Sequence, residues 1–117
     1  MRDFHQLQIW QRSHKLPLAI YKATNSFPRE EVYGLTSQLR RAVLSVPTNI
    51  CERYGRKTDA DFARFLQISV GSASEVEYEL LLAHDLNYLS DEDYDKFNSE
   101  IIEIRKMINN FINKLEH

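Results

Sequence analysis

The chain has 117 residues, of which 43% are hydrophobic and 27% are charged, a balance typical of one globular domain and unlike that of a disordered chain. Its three glycines and three prolines are too few for the turns of a β-sandwich or a β-barrel. Cys51 is the only cysteine, which excludes an internal disulfide. We therefore expect a single domain spanning residues 1–117.

No segment of the sequence predicts export or membrane insertion. The longest aliphatic run, Leu80 to Ala83, is far shorter than the roughly 20 residues of a membrane span. The first six residues lack the apolar core of a signal peptide. We therefore expect a cytoplasmic protein that makes no membrane contact. Residues 115–117 resemble the stub of a vector-derived tag, so His117 is given no role.

The net charge of −2 is unevenly distributed along the chain. Residues 1–57 carry a net charge of +6, and residues 58–117 carry −8. Such a split favours a basic binding face. It is equally typical of basic helices that lie beside acidic ones and are neutralised within the bundle or between subunits.

The apolar residues of the first segment recur with helical spacing and predict a helix from about Asp3 or Gln6 to Ser26. They form two nearly opposite stripes, where a helix of a monomeric bundle needs only one. We therefore expect this helix to lie between its own bundle and a neighbouring subunit, with a kink at Pro17. One stripe holds Leu7, Trp10, Leu18 and Tyr21, with His14 among them, and the other holds Ile9, Leu16, Ile20, Ala23 and Phe27.

The second helix is predicted after a loop over residues 27–34. Thr36 is the expected N-cap and Gly55 the expected C-terminal stop, with a bend at Pro47. The residues expected to face the core are Leu35, Leu39, Val43, Val46 and Ile50.

Two further helices are predicted to begin at Thr58 and Ser90, each followed by acidic residues that suit the positive end of a helix dipole. Small residues midway along the third helix, from Ser69 to Ala73, are expected to permit close helix approach. Alternating three- and four-residue steps with short loops predict an all-α, antiparallel up-and-down four-helix bundle. The predicted core positions are Phe62, Leu66, Ser69, Ala73, Val76, Leu80 and Ala83 in the third helix, and Tyr94, Phe97, Ile101, Ile104, Ile108, Phe111 and Leu115 in the fourth.

The sequence shows no catalytic or cofactor motif. The Glu-x-x-His pairs of di-iron bundles are missing, because Gln11 and Leu81 stand three residues before His14 and His84. Phosphate-binding glycine loops and zinc spacings are also absent. We expect His14 to be a packing residue and Cys51 a small buried hydrophobe. The chain is therefore predicted to bind without catalysing a reaction, and without a metal or cofactor.

The segment from Tyr33 to Arg56 carries a specific motif. It resembles the second-helix signature of the bacterial four-helix-bundle family encoded within intervening sequences of large-subunit ribosomal RNA genes. Arg53 departs from the pattern, since the family usually has glycine there. The matching residues are Tyr33, Gly34, Leu35, Gln38, Leu39, Arg40, Arg41, Ala42, Ser45, Val46, Pro47, Asn49, Ile50, Glu52, Gly55 and Arg56.

This resemblance implies an up-and-down bundle that forms a ring-shaped homopentamer. A related branch of accessory proteins of diversity-generating retroelements binds nucleic acid and reverse transcriptase. That branch is markedly basic, whereas this chain has a net charge of −2.

Two kinds of partner, besides further copies of the chain, are therefore predicted. RNA or DNA would bind the basic half, where cations meet phosphates; alternatively, the partner is another protein that binds the acidic third and fourth helices. A structural network of Glu52, Glu75 and Glu77 is expected to pair with Arg40, Arg41 or Arg56, with Glu79 as an alternative acidic partner. That pairing competes with the nucleic-acid hypothesis. The candidate nucleic-acid residues are Arg40, Arg41, Arg53, Tyr54, Arg56, Lys57 and Arg64.

Overall fold

The computed structural model describes residues 4–52 and 58–116. Within these two ranges the chain forms four α-helices and no strand, so the predicted all-α class is confirmed. The helices are α1 (Gln8–Ala23), α2 (Leu35–Cys51), α3 (Asp59–Asp85) and α4 (Asp91–Glu116), with short 3₁₀ turns at Phe4–Gln6, Thr24–Ser26 and Arg29–Glu31.

Successive helices run antiparallel. Ser69 near the middle of α3 bonds to Val46 on α2, and the earlier Ser45 bonds to the later Ser72. Arg12, early in α1, meets Glu100 on α4, and α3 packs most extensively, against both α2 and α4. The 27 residues of α3 span about 40 Å at 1.5 Å per residue, which matches the 43 Å length of the molecule.

The predicted core stripes are confirmed in α2 and α3. All five apolar residues assigned to the core face of α2, and all seven assigned to α3, are buried. In α4 the central predicted positions from Phe97 to Ile108 are buried, whereas Tyr94, Phe111 and Leu115 near the ends are half-buried and the unpredicted Ile112 is 2% exposed. A straight helix drifts about 20° per heptad from a seven-residue repeat, so a stripe centred on the middle of α4 turns away from the core towards both ends of the helix.

Small polar residues bring α2 and α3 together, as expected. The Ser69 hydroxyl donates to the Val46 carbonyl oxygen at 2.8 Å, and the Ser72 hydroxyl donates to that of Ser45 at 2.8 Å. Gly71 takes no part in this contact, because it is exposed and a Cβ there would have no neighbour within 4 Å. The approach of α2 to α3 therefore depends on the serines, which satisfy a buried carbonyl while occupying little volume.

The helix starts at Thr58 and Ser90 are confirmed, since each side-chain oxygen accepts a backbone N–H three residues later. The assignment of Thr36 as an N-cap is wrong. That residue is buried within α2, which begins at Leu35, and the Glu31 carboxylate accepts the Leu35 N–H at 3.1 Å. Gly34 makes room for this cap, because a Cβ there would lie 2.7 Å from the Glu31 oxygen.

Both internal prolines lie within continuous helices, Pro17 in α1 and Pro47 in α2. Side chains supply donors to carbonyl groups beside Pro47: Thr48 donates to Leu44 and Asn49 donates to Ser45, each at 2.8 Å. The predicted stop at Gly55 lies outside the described residues, and α2 ends at Cys51. None of the helices in the described ranges has the length and apolar character needed to cross a bilayer.

The C-terminus of α3 is closed by a left-handed residue. Asn87 has a φ of 64°, and the N–H groups of Asn87 and Tyr88 donate to the carbonyl oxygens of His84 and Ala83. This is a Schellman motif, with asparagine in the position that glycine usually occupies. It turns the chain into the short connection to α4.

Replacing Asn87 tests this turn. Asn87→Ala should lower the free energy of unfolding by about 1 kcal/mol, because a Cβ without a local polar partner is disfavoured at positive φ. Asn87→Gly should leave stability unchanged or raise it slightly. Urea denaturation measures both, and equal midpoints for the two variants would contradict the assignment.

Candidate interaction surfaces

Only part of the predicted second stripe of α1 faces away from the core, because Leu7 and Trp10 are half-buried and pack against the core. Ile9, Leu16 and Ile20 are buried, whereas Leu18 is 61% exposed and Tyr21 is 39% exposed. We call Trp10, His14, Leu18 and Tyr21 the outer row of α1. Helix α1 therefore packs one face against the core and exposes apolar side chains on the opposite face.

Aromatic stacking organises the N-terminal end of the outer row. The His14 ring stacks on Trp10 with centroids 4.8 Å apart and planes 7° from parallel, so His14 packs against an aromatic ring as predicted, although its side chain is exposed on the surface of α1. Phe4 meets the other side of this cluster at 4.9 Å from Trp10. The stacked rings hold Trp10 in a fixed orientation on α1.

Cys51 lies where α2 approaches Trp10. The thiol is only half-buried, so the expected buried position is not fully realised. Burial raises the pKa of Cys51, and a hydrogen bond with the Trp10 side chain opposes that shift. A raised pKa keeps the sulfur protonated and unreactive.

Arg40 belongs to the contact between α1 and α2. Its guanidinium donates to the Thr24 hydroxyl at 2.8 Å and to the Tyr21 carbonyl and Asn25 side-chain oxygens, both at 3.1 Å. It also lies 4.8 Å from the centre of the Tyr21 ring. Arg40 therefore has the structural role that competed with nucleic-acid binding. Its acceptors are one carbonyl near the end of α1 and two neutral side chains, where glutamates were expected. A cation suits this negative end of the helix dipole.

The remaining basic candidates divide into two places. Arg41 is exposed and donates to the Ser37 hydroxyl at 3.3 Å, while Arg64 pairs loosely with Asp61 at 3.5 Å and lies over Phe65. Arg41 shares a cleft with Glu75, which is eleven residues and about 16 Å along α3 from Arg64. The other four candidates, Arg53, Tyr54, Arg56 and Lys57, lie outside the described residues.

The described residues show one ion pair of the predicted acidic network, and it uses a different arginine. Glu77 pairs with Arg105 on α4, where Arg40 or Arg41 was expected; the third predicted partner, Arg56, lies outside the described residues. The partners differ because Glu75 and Glu77 point to different sides of α3, about 200° apart around the helix axis. Glu77 faces α4, whereas Glu75 lines the cleft with α2. Glu52 is half-buried at the C-cap of α2.

Glu79, expected from the sequence only as an alternative acidic partner of the arginines, is a buried residue of the cleft. Its side chain lies in the cleft between α2 and α3, and the residue is only 8% exposed. One carboxylate oxygen, Oε1, is fully buried and has no hydrogen-bond partner in the described part of the chain. Burial, and then the nearby Glu75, raise the pKa of Glu79 to about 7. The available signal was Glu79's position one helical turn after Glu75.

An ion pair connects the basic and acidic halves of the sequence. Arg12 on α1 binds Glu100 on α4 through two hydrogen bonds of 2.6 Å and 3.1 Å. Hydrogen bonding with Glu100 raises the pKa of Arg12 further above its ordinary value. The charge split therefore contributes to packing within one protomer. Across residues 4–52 and 58–116, no group of three His, Cys, Asp or Glu side chains is placed to hold a metal ion.

Two substitutions distinguish the hydrogen bonds of Arg40 from the effect of removing a positive charge. Arg40→Gln should lower the free energy of unfolding by about 1–2 kcal/mol, since hydrogen bonds from a charged donor to Thr24 and the end of α1 are lost. Arg41→Gln removes the same charge from the adjacent exposed position and should change stability by less than about 0.5 kcal/mol. Chemical denaturation measures both, and an equal loss in the two variants would reject the role given to Arg40.

The sequence and the fold were compared with those of known proteins. A search of curated proteins finds no match. A crystal structure of a protein of unknown function from the S23 ribosomal protein family of Bacteroides thetaiotaomicron VPI-5482 is similar, with a TM-score of 0.81 and 25% identity. The similarity covers 90% of this chain and 95% of that one.

The family comparison covers most of the chain and includes the α2 motif, the outer row of α1 and the α2–α3 cleft. The model of the 23S rRNA-intervening sequence protein family matches residues 5–110. The chain therefore belongs to the family of 23S rRNA-intervening sequence proteins.

Proposed function

We propose that this protein is a non-catalytic bundle that assembles with copies of itself and works by binding. The observation that carries the proposal is the outer row of α1, where Leu18 and Tyr21 remain exposed on a helix whose opposite face is buried. Exposed apolar side chains grouped on one face are typical of association surfaces. Covering this row with a second copy would remove it from water.

The distribution of other exposed apolar residues supports a ring. Leu44 on α2 and Ile68 and Tyr78 on α3 are 48%, 44% and 62% exposed, so they lie on helices other than the one that carries the outer row. Contact between two different patches is head-to-tail, and such contacts generate closed rings when the rotation between copies closes. Five copies is the number that the family resemblance implies.

Variants on opposite sides of α1 test self-assembly. Leu18→Asp and Tyr21→Asp should leave a folded protomer and lower the mass measured by light scattering, because they place charge on the outer row. Ile20→Asp should unfold the protomer, since Ile20 is 0% exposed and an unpaired buried charge is strongly destabilising. Wild-type protein should have a mass several times 13.8 kDa.

Leu86→Asp supplies the matched control, since Leu86 is a 45% exposed leucine at the end of α3, outside the outer row. It should keep the wild-type mass. A wild-type monomer at micromolar concentration would reject the assembly, and equal dissociation by Leu86→Asp and Leu18→Asp would remove the outer row from the argument.

A second candidate function, binding of RNA or DNA, is favoured by Arg64. Its side chain is 62% exposed near the start of α3, six residues after Thr58, and the sequence before Thr58 includes Arg53, Arg56 and Lys57. Arg40 bonds to α1 and Arg41 shares its cleft with acids, so the proposal rests on the basic residues in the sequence between α2 and α3. Repetition around a ring would add weak phosphate contacts by avidity.

Reversing the basic charges between α2 and α3 tests nucleic-acid binding. Wild-type protein should bind RNA at 50 mM salt with little sequence preference and lose most affinity by about 200 mM, because phosphate contacts release counterions. The triple variant Arg53→Glu/Arg56→Glu/Lys57→Glu should lose binding while keeping its assembly mass.

The control is Lys96→Glu/Lys106→Glu/Lys114→Glu, which reverses three exposed charges on α4 and should bind as wild type does. If the Arg53→Glu/Arg56→Glu/Lys57→Glu variant retains as much RNA as wild type, these three residues do not form the RNA-binding site. Absence of binding at low salt would favour the alternative, a protein–protein interaction module whose partner binds the acidic third and fourth helices.

A further inference from the structure

The cleft between α2 and α3 has the dimensions of a small binding site. Its volume is about 530 Å³, and it is open to solvent along one side of the bundle. Its walls come from α2, from α3 and from the loop before α2. The lining residues are Tyr33, Ser37, Gln38, Arg41, Ala42, Ser45, Ser72, Glu75 and Glu79.

Glu79 is incompletely satisfied in this cleft. A carboxylate that is 8% exposed, with one oxygen fully buried and unpartnered in the described ranges, has lost hydration without gaining a donor. Glutamine or a hydrophobic residue of similar volume would occupy the position with a smaller desolvation penalty. An acid at this position requires a hydrogen-bond donor from outside the protomer, or a proton.

The groups that face Glu79 favour a positively charged ligand. The titratable and charged side chains of the cleft are Tyr33 from the loop, Arg41 from α2, and Glu75 with Glu79 from α3. When both acids are ionised, one negative charge is left over. Tyr33 is 95% exposed and presents an aromatic face, to which organic cations are attracted.

We propose that the α2–α3 cleft binds a primary ammonium or guanidinium group, which pairs with Glu79 and Glu75 and lies beside the ring of Tyr33. The cation supplies the hydrogen-bond donor that the buried oxygen lacks and offsets the repulsion between the two carboxylates. The group has two possible sources, a free organic cation or a basic side chain of a neighbouring copy. Only the second source rests on the proposed self-assembly.

Protonation of Glu79 competes with this binding. Because the pKa of Glu79 is about 7, the carboxylate is mostly ionised at pH 8 and mostly protonated at pH 6. Affinity scales with the fraction of protein in the competent form. Binding of a cation should therefore weaken by about tenfold between pH 8 and pH 6.

Agmatine, which carries both an ammonium and a guanidinium group, is the probe for the first source. Titration calorimetry at pH 8 should show binding to wild-type protein and at least tenfold weaker binding to Glu79→Gln, which keeps the side-chain volume. Glu75→Gln, at an exposed position, gives a second variant with no burial change and should also weaken binding. Glu116→Gln removes an exposed glutamate outside the cleft and should bind as wild type. Tetramethylammonium, which has no N–H donor, should bind far more weakly.

Light scattering of the same proteins tests the second source. If a neighbouring copy fills the cleft, Glu79→Gln shifts the mass towards the monomer, Glu116→Gln does not, and agmatine competes with assembly. A monomeric protein that binds agmatine through Glu79 would reject the ring and support the cleft. If Glu79→Gln and Glu75→Gln change neither agmatine affinity nor assembly mass, the proposal is overturned.

Discussion

Burial of the inner face of α3 against α2 and α4 at once is the constraint on which the bundle depends. Leu66, Ala73 and Leu80 are each 0% exposed, and they lie on a helix long enough to run the length of the molecule. Close approach to α2 requires a small residue at Ser69, whose hydroxyl also satisfies the Val46 carbonyl. Helix α1 has fewer contacts with its neighbours, so its second face is free to serve another purpose.

The connections add a polar constraint to this packing. Glu31 caps α2 with one carboxylate oxygen and accepts the Tyr88 hydroxyl at 3.0 Å with the other. The Phe27 ring lies 5.4 Å from that of Tyr88. A single glutamate in the first loop thus ties the start of α2 to the connection between α3 and α4, at one end of the bundle.

The fold was predictable because spacing alone defines the faces of long amphipathic helices. The seven core positions of α3 are separated by alternating steps of three and four residues, and all are buried. Capping by Glu31 was not predictable in the same way, because the cap depends on the loop conformation at Gly34 and on the room that a missing Cβ provides. Local sequence favoured Thr36, a common N-cap type, which the fold instead buries.

The polar sites were less predictable than the core. The partner of Glu77 depends on which neighbouring helix its side of α3 faces, and this places Arg105 within reach while Arg40 turns towards α1. The environment of Glu79 arises from three segments that are distant in sequence, so no motif reveals it. Exposure of Leu18 and Tyr21 on α1, by contrast, was predictable from two stripes on one helix.

The contact between Trp10 and Cys51 has an optical consequence. The chain has one tryptophan and one cysteine; the indole stacks on the His14 ring and hydrogen-bonds with the thiol on α2. Thiols quench indole emission, so separation of α1 from α2 should change the emission of this single tryptophan, without an added label.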